Sequence, residues 1–169
     1  MTIKNYSMQE SFPAFGFLRP AVIDDIPQLV AMINAAYAVE TFLEGTRTSE
    51  ESLLEVLKTG RILLIEADDK IVASLYMERR ENSGYLGMLA VSPTHQRMGL
   101  ATQLLEAAED DFRVQGLKTV EIHVLNLRPE LLPLYRRYGF VESGTEEFTY
   151  PRAVKGGASC HCIVMTKQL

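Results

Sequence analysis

The chain has 169 residues, of which 47% are hydrophobic and 23% charged, and its formal net charge is −5. These values predict one globular domain over residues 1–169 and exclude a disordered chain. The acidic balance argues against nucleic-acid binding, and no apolar run is long enough to span a bilayer. Residues 1–17 lack the continuous apolar segment of a signal peptide, and we expect residues 1–13 to be a loose leader. Two cysteines that are expected to be unpaired thiols indicate the reducing cytoplasm.

The hydrophobic pattern predicts a mixed α/β sheet of seven strands with four helices. The strands are expected over residues 15–22, 61–67, 71–80, 85–91, 118–125, 140–150 and 157–169. The helices are expected over residues 24–39, 48–60, 99–116 and 128–140. The strand before the third helix and the strand after it are joined by a crossover, so we expect these two to run parallel.

The stretch "VSPTHQRMGLAT", residues 91–102, leads from a strand into the third helix. The first turn of a helix leaves backbone N–H groups without partners, and with the helix dipole they favour an anion. Gly99 lets the backbone approach a ligand closely, and Arg97 adds a positive charge. The stretch lacks the Lys-Ser/Thr of a Walker P-loop and the three spaced glycines of a dinucleotide fingerprint. It therefore predicts a site for a diphosphate of another kind.

Two motifs in this order resemble those of the GNAT acetyltransferases. The run "QRMGLA" is similar to the family's Gln/Arg-x-x-Gly-x-Gly/Ala signature, and "LYRRYGF" is similar to its Tyr-x-x-x-Gly-Phe motif. The resemblance covers about residues 17–169, and its specific part is residues 85–140. It implies the GNAT fold, a central mixed sheet of about seven strands with four helices, and acetyl-CoA held between two parallel strands that splay apart.

The resemblance also implies which residues contact the coenzyme. Backbone amides at the helix entrance would hold the pyrophosphate, and the end of the preceding strand would hold the pantetheine arm. The implied residues are Leu89, Ala90, Val91, Gln96, Arg97, Met98, Gly99, Leu100, Ala101, Thr102, Asn126 and Tyr135. Asn126 departs from the family pattern, because it lies nine residues before Tyr135 and not about seven. Arg128 is an alternative for part of its role.

Acetyl transfer to an amine needs an acid for the leaving thiolate and a base for the ammonium proton. The resemblance implies Tyr135 as the general acid. The strand before the phosphate loop carries no carboxylate where some family members have a glutamate, so we assign the base tentatively to Glu78. Glu40, Glu44 and His123 are alternatives, and a chain of water molecules is another.

The resemblance implies an N-acetyltransferase that moves the acetyl group of acetyl-CoA to a primary amine of a small acceptor, by direct attack in a ternary complex. Two alternatives are an inactive acyl-CoA-binding sensor and a protein or peptide N-acetyltransferase. Residues 39–51 and 145–157 are polar, irregular segments that we expect to select the acceptor. Glutamates in these segments would favour a cationic amine, whereas Arg47, Arg152 and Lys155 would hold a carboxylate. The sequence leaves this choice open.

The only two cysteines, Cys160 and Cys162, lie two residues apart on a predicted strand. Such neighbours are poorly placed to form a disulfide with each other, and the spacing of a four-ligand metal site is absent. We expect buried thiols and no metal. A homodimer formed through the C-terminal strands is a further expectation from the resemblance, and no nucleic-acid or membrane partner is expected.

Overall fold

The computed structural model describes residues 16–169 and the two-residue strand Ser11–Phe12. The rest of the expected leader, residues 1–10 and 13, lies outside the described residues. Within the described part of the chain the helices are α1 (Ile26–Ala36), α2 (Glu50–Val56), α3 (Leu100–Val114) and α4 (Leu131–Arg137). The strands are β1 (Ser11–Phe12), β2 (Gly16–Pro20), β3 (Arg61–Ala67), β4 (Lys70–Arg79), β5 (Gly84–Val91), β6 (Thr119–Leu125), β7 (Val141–Glu147) and β8 (His161–Gln168).

The described strands form one mixed sheet in the order β1-β2-β3-β4-β5-β6-β8-β7. Only β5 and β6 run parallel among these neighbours, and α3 makes the crossover between them. The predicted mixed α/β sheet with four helices is therefore confirmed. The eighth strand is the short β1, which pairs with β2. Within residues 16–169, no helix is both long and apolar enough to cross a membrane.

Two hydrophobic clusters cover the two faces of the sheet. The alternation of side chains along β3 sends Leu63 and Ile65 into one cluster and Ile62 and Leu64 into the other. The first cluster contains the apolar stripe of α3, whose predicted residues Leu100, Leu104, Leu105, Ala108 and Phe112 are all buried. The second contains α1 and α2. Helix α3 thus packs on one face of the sheet, and helices α1 and α2 pack on the other. A site can form at the ends of the strands, between these two layers.

The parallel strands β5 and β6 separate before either of them ends. Their pairing stops at Leu86 and Ile122, although β5 continues to Val91 and β6 to Leu125. A bulge in β5 accompanies the separation, because Ser74 pairs with Ala90 while Tyr76 pairs with Gly87. The inserted residue Met88 has a positive φ of 46°. A bulge bends its strand and increases its twist, so this kink turns the end of β5 away from β6 and opens the sheet.

Candidate active site

A cleft of about 430 Å³ opens where β5 and β6 separate and continues to the entrance of α3. Met98 and Thr102 do not line it: Met98 is exposed, and the Thr102 hydroxyl is 3.1 Å from the Tyr138 hydroxyl. Most of the other residues implied by the sequence motifs do line it, namely Leu89, Ala90, Val91, Gln96, Arg97, Gly99, Leu100, Ala101 and Tyr135. The motif residues therefore meet at one cleft, which we call the coenzyme cleft.

The entrance of α3 has the backbone of an anion site. Arg97 and Gly99 both adopt left-handed conformations, with φ of 63° and 78°. A Cβ added at Gly99 would have no neighbour within 4 Å, so the loop is open at this point. No side chain caps the helix, and its first N–H groups, from Leu100 to Thr102, have no partner within the helix. These donors fit a diphosphate that approaches along the cleft.

A second, smaller cavity of about 70 Å³ lies on the side of the sheet that α1 covers. Its roof joins the segment after α1 to the loop between β7 and β8. Leu43 pairs with Val154, the Glu44 amide donates to the Ala153 carbonyl at 2.9 Å, and the Lys155 amide donates to the Phe42 carbonyl at 2.8 Å. The two segments expected to select the acceptor thus meet over one cavity, which we call the acceptor cavity.

A buried carboxylate ties three segments together at the acceptor cavity. Glu40 is 6% exposed and lies in the segment after α1. One of its oxygens accepts a hydrogen bond from Arg128 at 3.2 Å, and the other accepts one from Arg152 at 3.1 Å. Because both oxygens are engaged, Glu40 acts as a structural link between the loops and is poorly placed to take a proton from a substrate.

Tyr135 lines both the coenzyme cleft and the acceptor cavity. It lies on α4, whose end is set by Gly139 in a left-handed conformation (φ 91°), and its ring packs edge-on against Phe140. Burial of the hydroxyl raises the pKa of Tyr135 above the ordinary tyrosine value, because desolvation disfavours the phenolate. The hydroxyl therefore stays protonated at neutral pH and is available as a proton donor between the two compartments.

The structure does not bring Glu78 or Asn126 to either cavity. Glu78 lies near the C-terminal end of β4, where its carboxylate accepts a hydrogen bond from the Tyr76 hydroxyl at 3.2 Å. The Asn126 side chain is used within the sheet instead: it accepts from the His161 amide at 2.9 Å and donates to the Ser159 carbonyl at 3.2 Å. Arg128, the alternative to Asn126, lines both the cleft and the cavity.

Substituting Asn126 with alanine should destabilise the fold and leave coenzyme affinity unchanged. The variant loses both hydrogen bonds that join the end of β6 to the start of β8, which lowers the free energy of unfolding by about 1–2 kcal/mol. Urea unfolding measures the loss, and calorimetric titration with acetyl-CoA measures the affinity. A large rise in the dissociation constant without loss of stability would instead support the coenzyme contact that the sequence resemblance implies.

His123 is the imidazole that lines the acceptor cavity. Its side chain is 9% exposed and packs edge-on against the Tyr85 ring. Nε2 lies 3.3 Å from a Glu121 oxygen, and Nδ1 lies 3.6 Å from a Glu146 oxygen. Glu146 is mostly exposed, so His123 connects the cavity to a carboxylate in contact with solvent. This arrangement can carry a proton out of the cavity.

Cys162 is buried and lines the acceptor cavity, whereas Cys160 is partly buried and precedes β8. Both are free thiols. Burial raises the pKa of each thiol, which disfavours the nucleophilic thiolate. Across the residues described, no three histidine, cysteine, aspartate or glutamate side chains cluster in a way that could hold a metal ion.

A family model for the GNAT acetyltransferase domain matches residues 30–150. This range contains Arg97 of the coenzyme cleft, His123 of the acceptor cavity and Tyr135, which lines both. The chain belongs to the GNAT acetyltransferase family. This GNAT chain is 31% identical over 143 residues to an amino-acid acetyltransferase of Azotobacter vinelandii, and the alignment covers 82% of the chain and 31% of that relative. It is 28% identical over 141 residues to an amino-acid acetyltransferase of Pseudomonas fluorescens, with the same coverage. The chain thus spans about a third of the length of these relatives.

Solved structures share the fold of this GNAT domain at low sequence identity. The ribosomal-protein-S18-alanine N-acetyltransferase of Escherichia coli has a TM-score of 0.71 at 20% identity, over 89% of this chain and 92% of that one. A GNAT family acetyltransferase of Elizabethkingia anophelis, solved with acetyl-CoA bound, has a TM-score of 0.70 at 20% identity, over 90% and 97% of the two chains. These likenesses support the fold assignment.

Sequence reasoning missed three features of this GNAT site. Tyr37 and Tyr150 line the acceptor cavity, yet neither was singled out, because nothing local distinguishes them from core aromatic residues. The Met88 bulge that opens the sheet was also missed. A glycine inside a strand often marks a bulge, so Gly87 was the signal that could have found it.

Proposed function

We propose that this chain is an acetyl-CoA-dependent N-acetyltransferase that acts on a primary amine of a small acceptor. The observation that carries the proposal is the position of Tyr135, which lines the coenzyme cleft and the acceptor cavity at once. A proton donor at this junction is within reach of a thioester in the cleft and of an amine in the cavity. The roof over the acceptor cavity supports a small acceptor, because a polypeptide chain would need an open groove.

The coenzyme cleft supplies the contacts that this substrate requires. The N–H groups from Leu100 to Thr102, with the charge of Arg97, would bind the pyrophosphate. The backbone of β5 at Leu89 and Val91, which β6 no longer pairs, would bind the pantetheine arm beside the hydrogen bond that the Leu89 carbonyl accepts from Tyr37. A coenzyme held by these backbone contacts would carry its thioester to the inner end of the cleft, beside Tyr135.

The reaction needs one bond formed and one bond broken. The amine nitrogen attacks the thioester carbonyl carbon, the C–N bond forms, and the C–S bond breaks. The ammonium first loses one proton to a base, and the nitrogen loses a second proton after it has attacked. Tyr135 donates a proton to the departing sulfur, and the second proton from the nitrogen restores the Tyr135 hydroxyl through water. Direct attack in a ternary complex is supported by the junction itself, since a coenzyme in the cleft and an acceptor in the cavity would both reach Tyr135. The raised thiol pKa of Cys162 argues against an acyl-enzyme.

His123 replaces Glu78 as the base in this proposal. His123 lines the acceptor cavity, whereas the Glu78 carboxylate is outside it and bonded to Tyr76. Glu40 also lines the cavity, but its oxygens are held by two arginines. His123 accepts the proton directly or through one water molecule and passes it toward Glu146 at the surface.

Substituting His123 with glutamine should lower kcat by about 100-fold, the usual contribution of a positioned base. The expected change is in kcat, with little change in acetyl-CoA affinity, and steady-state kinetics together with calorimetric titration measure the two. Glu78→Gln is the competing variant: if it, and not His123→Gln, lowers kcat, the base is Glu78 and the assignment to His123 is wrong.

A turnover assay separates the enzyme from an inactive acyl-CoA-binding sensor. Purified protein is incubated with acetyl-CoA and a panel of amino acids, polyamines and simple primary amines, and free thiol release is followed. We expect acceptor-dependent thiol release and an N-acetylated product by mass spectrometry. Tight acetyl-CoA binding by calorimetry with no release on any amine would support the sensor and reject the proposed reaction.

A further inference from the structure

The acceptor cavity carries more positive charge than its own carboxylates neutralise. Its lining includes three arginines and one glutamate. Arg128 and Arg152 are paired with Glu40, at 3.2 and 3.1 Å. Arg47 lies in the segment between α1 and α2, and within the described part of the chain it forms no ion pair. Because Arg47 lines the cavity without an ion pair to any described residue, its guanidinium is available for an anion that the acceptor brings.

Two aromatic rings fix Arg47 in the cavity without neutralising it. The guanidinium carbon lies 5.1 Å from the ring centroid of Tyr37 and 5.1 Å from that of Tyr150. Cation–π contacts of this kind restrain the side chain and leave its full charge. Tyr37 lies directly after α1 and Tyr150 lies in the β7–β8 loop, so rings from two distant parts of the chain hold Arg47 in place. A restrained planar guanidinium is suited to bind a carboxylate through two N–H groups.

Arg47 is positioned for the acceptor and not for the coenzyme. It lines the acceptor cavity, but it is not among the residues that line the coenzyme cleft. The Tyr37 ring that it contacts belongs to both, and the Tyr37 hydroxyl donates to the Leu89 carbonyl at 3.1 Å, at the opened end of β5. Arg47 also shares the acceptor cavity, of about 70 Å³, with His123 and Tyr135. An acceptor that places a carboxylate on Arg47 and an amine beside His123 and Tyr135 must therefore carry the two groups close together.

We propose that Arg47 binds the α-carboxylate of the acceptor and that the acceptor is an α-amino acid, an inference that rests on the proposed N-acetyltransferase function. An α-amino acid carries its carboxylate and amine on one carbon, so both groups fit in the single small cavity that Arg47 lines together with His123 and Tyr135. The cavity volume of about 70 Å³ accommodates the amino and carboxylate groups, while a long side chain would extend out of it. Arg47 is thus a specificity-determining residue.

The test compares each accepted amino acid with its own α-carboxamide. Wild-type protein is assayed with acetyl-CoA and the twenty amino acids, and then with the amides of those that react. The amide has the more readily deprotonated amine, so a preference for the acid cannot come from amine reactivity. We expect kcat/KM to be about 100-fold higher for the acid than for the amide, as two charge-assisted hydrogen bonds require.

The variant Arg47→Gln should remove that preference. We expect its kcat/KM for the acid to fall about 100-fold, chiefly through KM, and its kcat/KM for the amide to stay within a few-fold of the wild-type value. Arg47→Lys keeps the positive charge but not the two parallel N–H groups of the guanidinium. Its preference for the acid over the amide should lie between those of the wild type and Arg47→Gln. Arg79→Gln is the matched control: Arg79 is an exposed arginine at the end of β4 and lines neither cavity, so this variant should keep the wild-type preference. Circular dichroism and acetyl-CoA affinity show that each variant is folded.

The outcomes distinguish this inference from the function on which it rests. If wild-type protein acetylates amides or simple amines as well as amino acids, the N-acetyltransferase function stands and the role of Arg47 is wrong. The same conclusion follows if Arg47→Gln lowers acid and amide turnover equally. If no acceptor is turned over by protein that binds acetyl-CoA, the proposed function fails and the inference falls with it.

Discussion

Gly99→Val should weaken acetyl-CoA binding by about 100-fold. Gly99 precedes the first residue of α3 with a φ of 78°, and the space around its absent side chain is empty and open to the coenzyme cleft. A branched side chain there would project where the pyrophosphate must approach the N–H groups of the first helical turn. Losing two charge-assisted hydrogen bonds accounts for a change of this size. Calorimetric titration with acetyl-CoA measures it.

Gly116→Val is the matched control for this prediction. Gly116 follows the other end of the same helix with a φ of 80°, and it also has no neighbour within 4 Å of an added Cβ. Both variants force an L-residue into the left-handed region, so both should lose about 1–2 kcal/mol of unfolding free energy. Only Gly99→Val should lose coenzyme affinity. Equal affinities in the two variants would show that the α3 entrance does not bind the pyrophosphate.

The periodicity of the chain predicted the elements that fill the two cores, and local motifs predicted the coenzyme cleft. The apolar stripe of α3 repeats at helical spacing, and burial of that stripe places the helix entrance beside β5. The helix entrance that lines the cleft depends on backbone conformation, so a short pattern with a glycine at the αL position suffices to locate it. Features that depend on a short, continuous stretch of the chain can therefore be predicted from the sequence.

The acceptor cavity could not be predicted in the same way, because its contacts join residues far apart in the chain. Arg152 reaches Glu40 across 112 positions, and Arg128 reaches the same carboxylate across 88. No local sequence pattern predicts that the two selecting segments pair with each other over the cavity that His123 lines. The same limit applies to Asn126: the sequence resemblance implies a coenzyme ligand, and only the structure shows that its side chain makes hydrogen bonds to the start of β8, 33 to 35 residues later.

Tyr135→Phe should lower kcat by a factor of about 100 to 10,000 and leave acetyl-CoA affinity nearly unchanged. The substitution removes one oxygen atom and keeps the ring that packs against Phe140, so the junction between the two cavities retains its shape. What is lost is the proton for the departing sulfur, which must then leave as a free thiolate. Single-turnover thiol release, together with calorimetric titration, separates the chemical step from binding.

The pH dependence gives this prediction a second readout. An exposed tyrosine keeps its hydroxyl proton up to about pH 10, and burial raises the pKa of Tyr135 above that value. Deprotonation of Tyr135 should therefore not lower the wild-type rate at any pH below about 10. Tyr138→Phe is the control: that hydroxyl bonds Thr102, also contacts the cleft and lies three residues away, but it does not line the acceptor cavity. If Tyr138→Phe lowers kcat as much as Tyr135→Phe, the loss comes from disturbed packing of α4, and Tyr135 is not the acid.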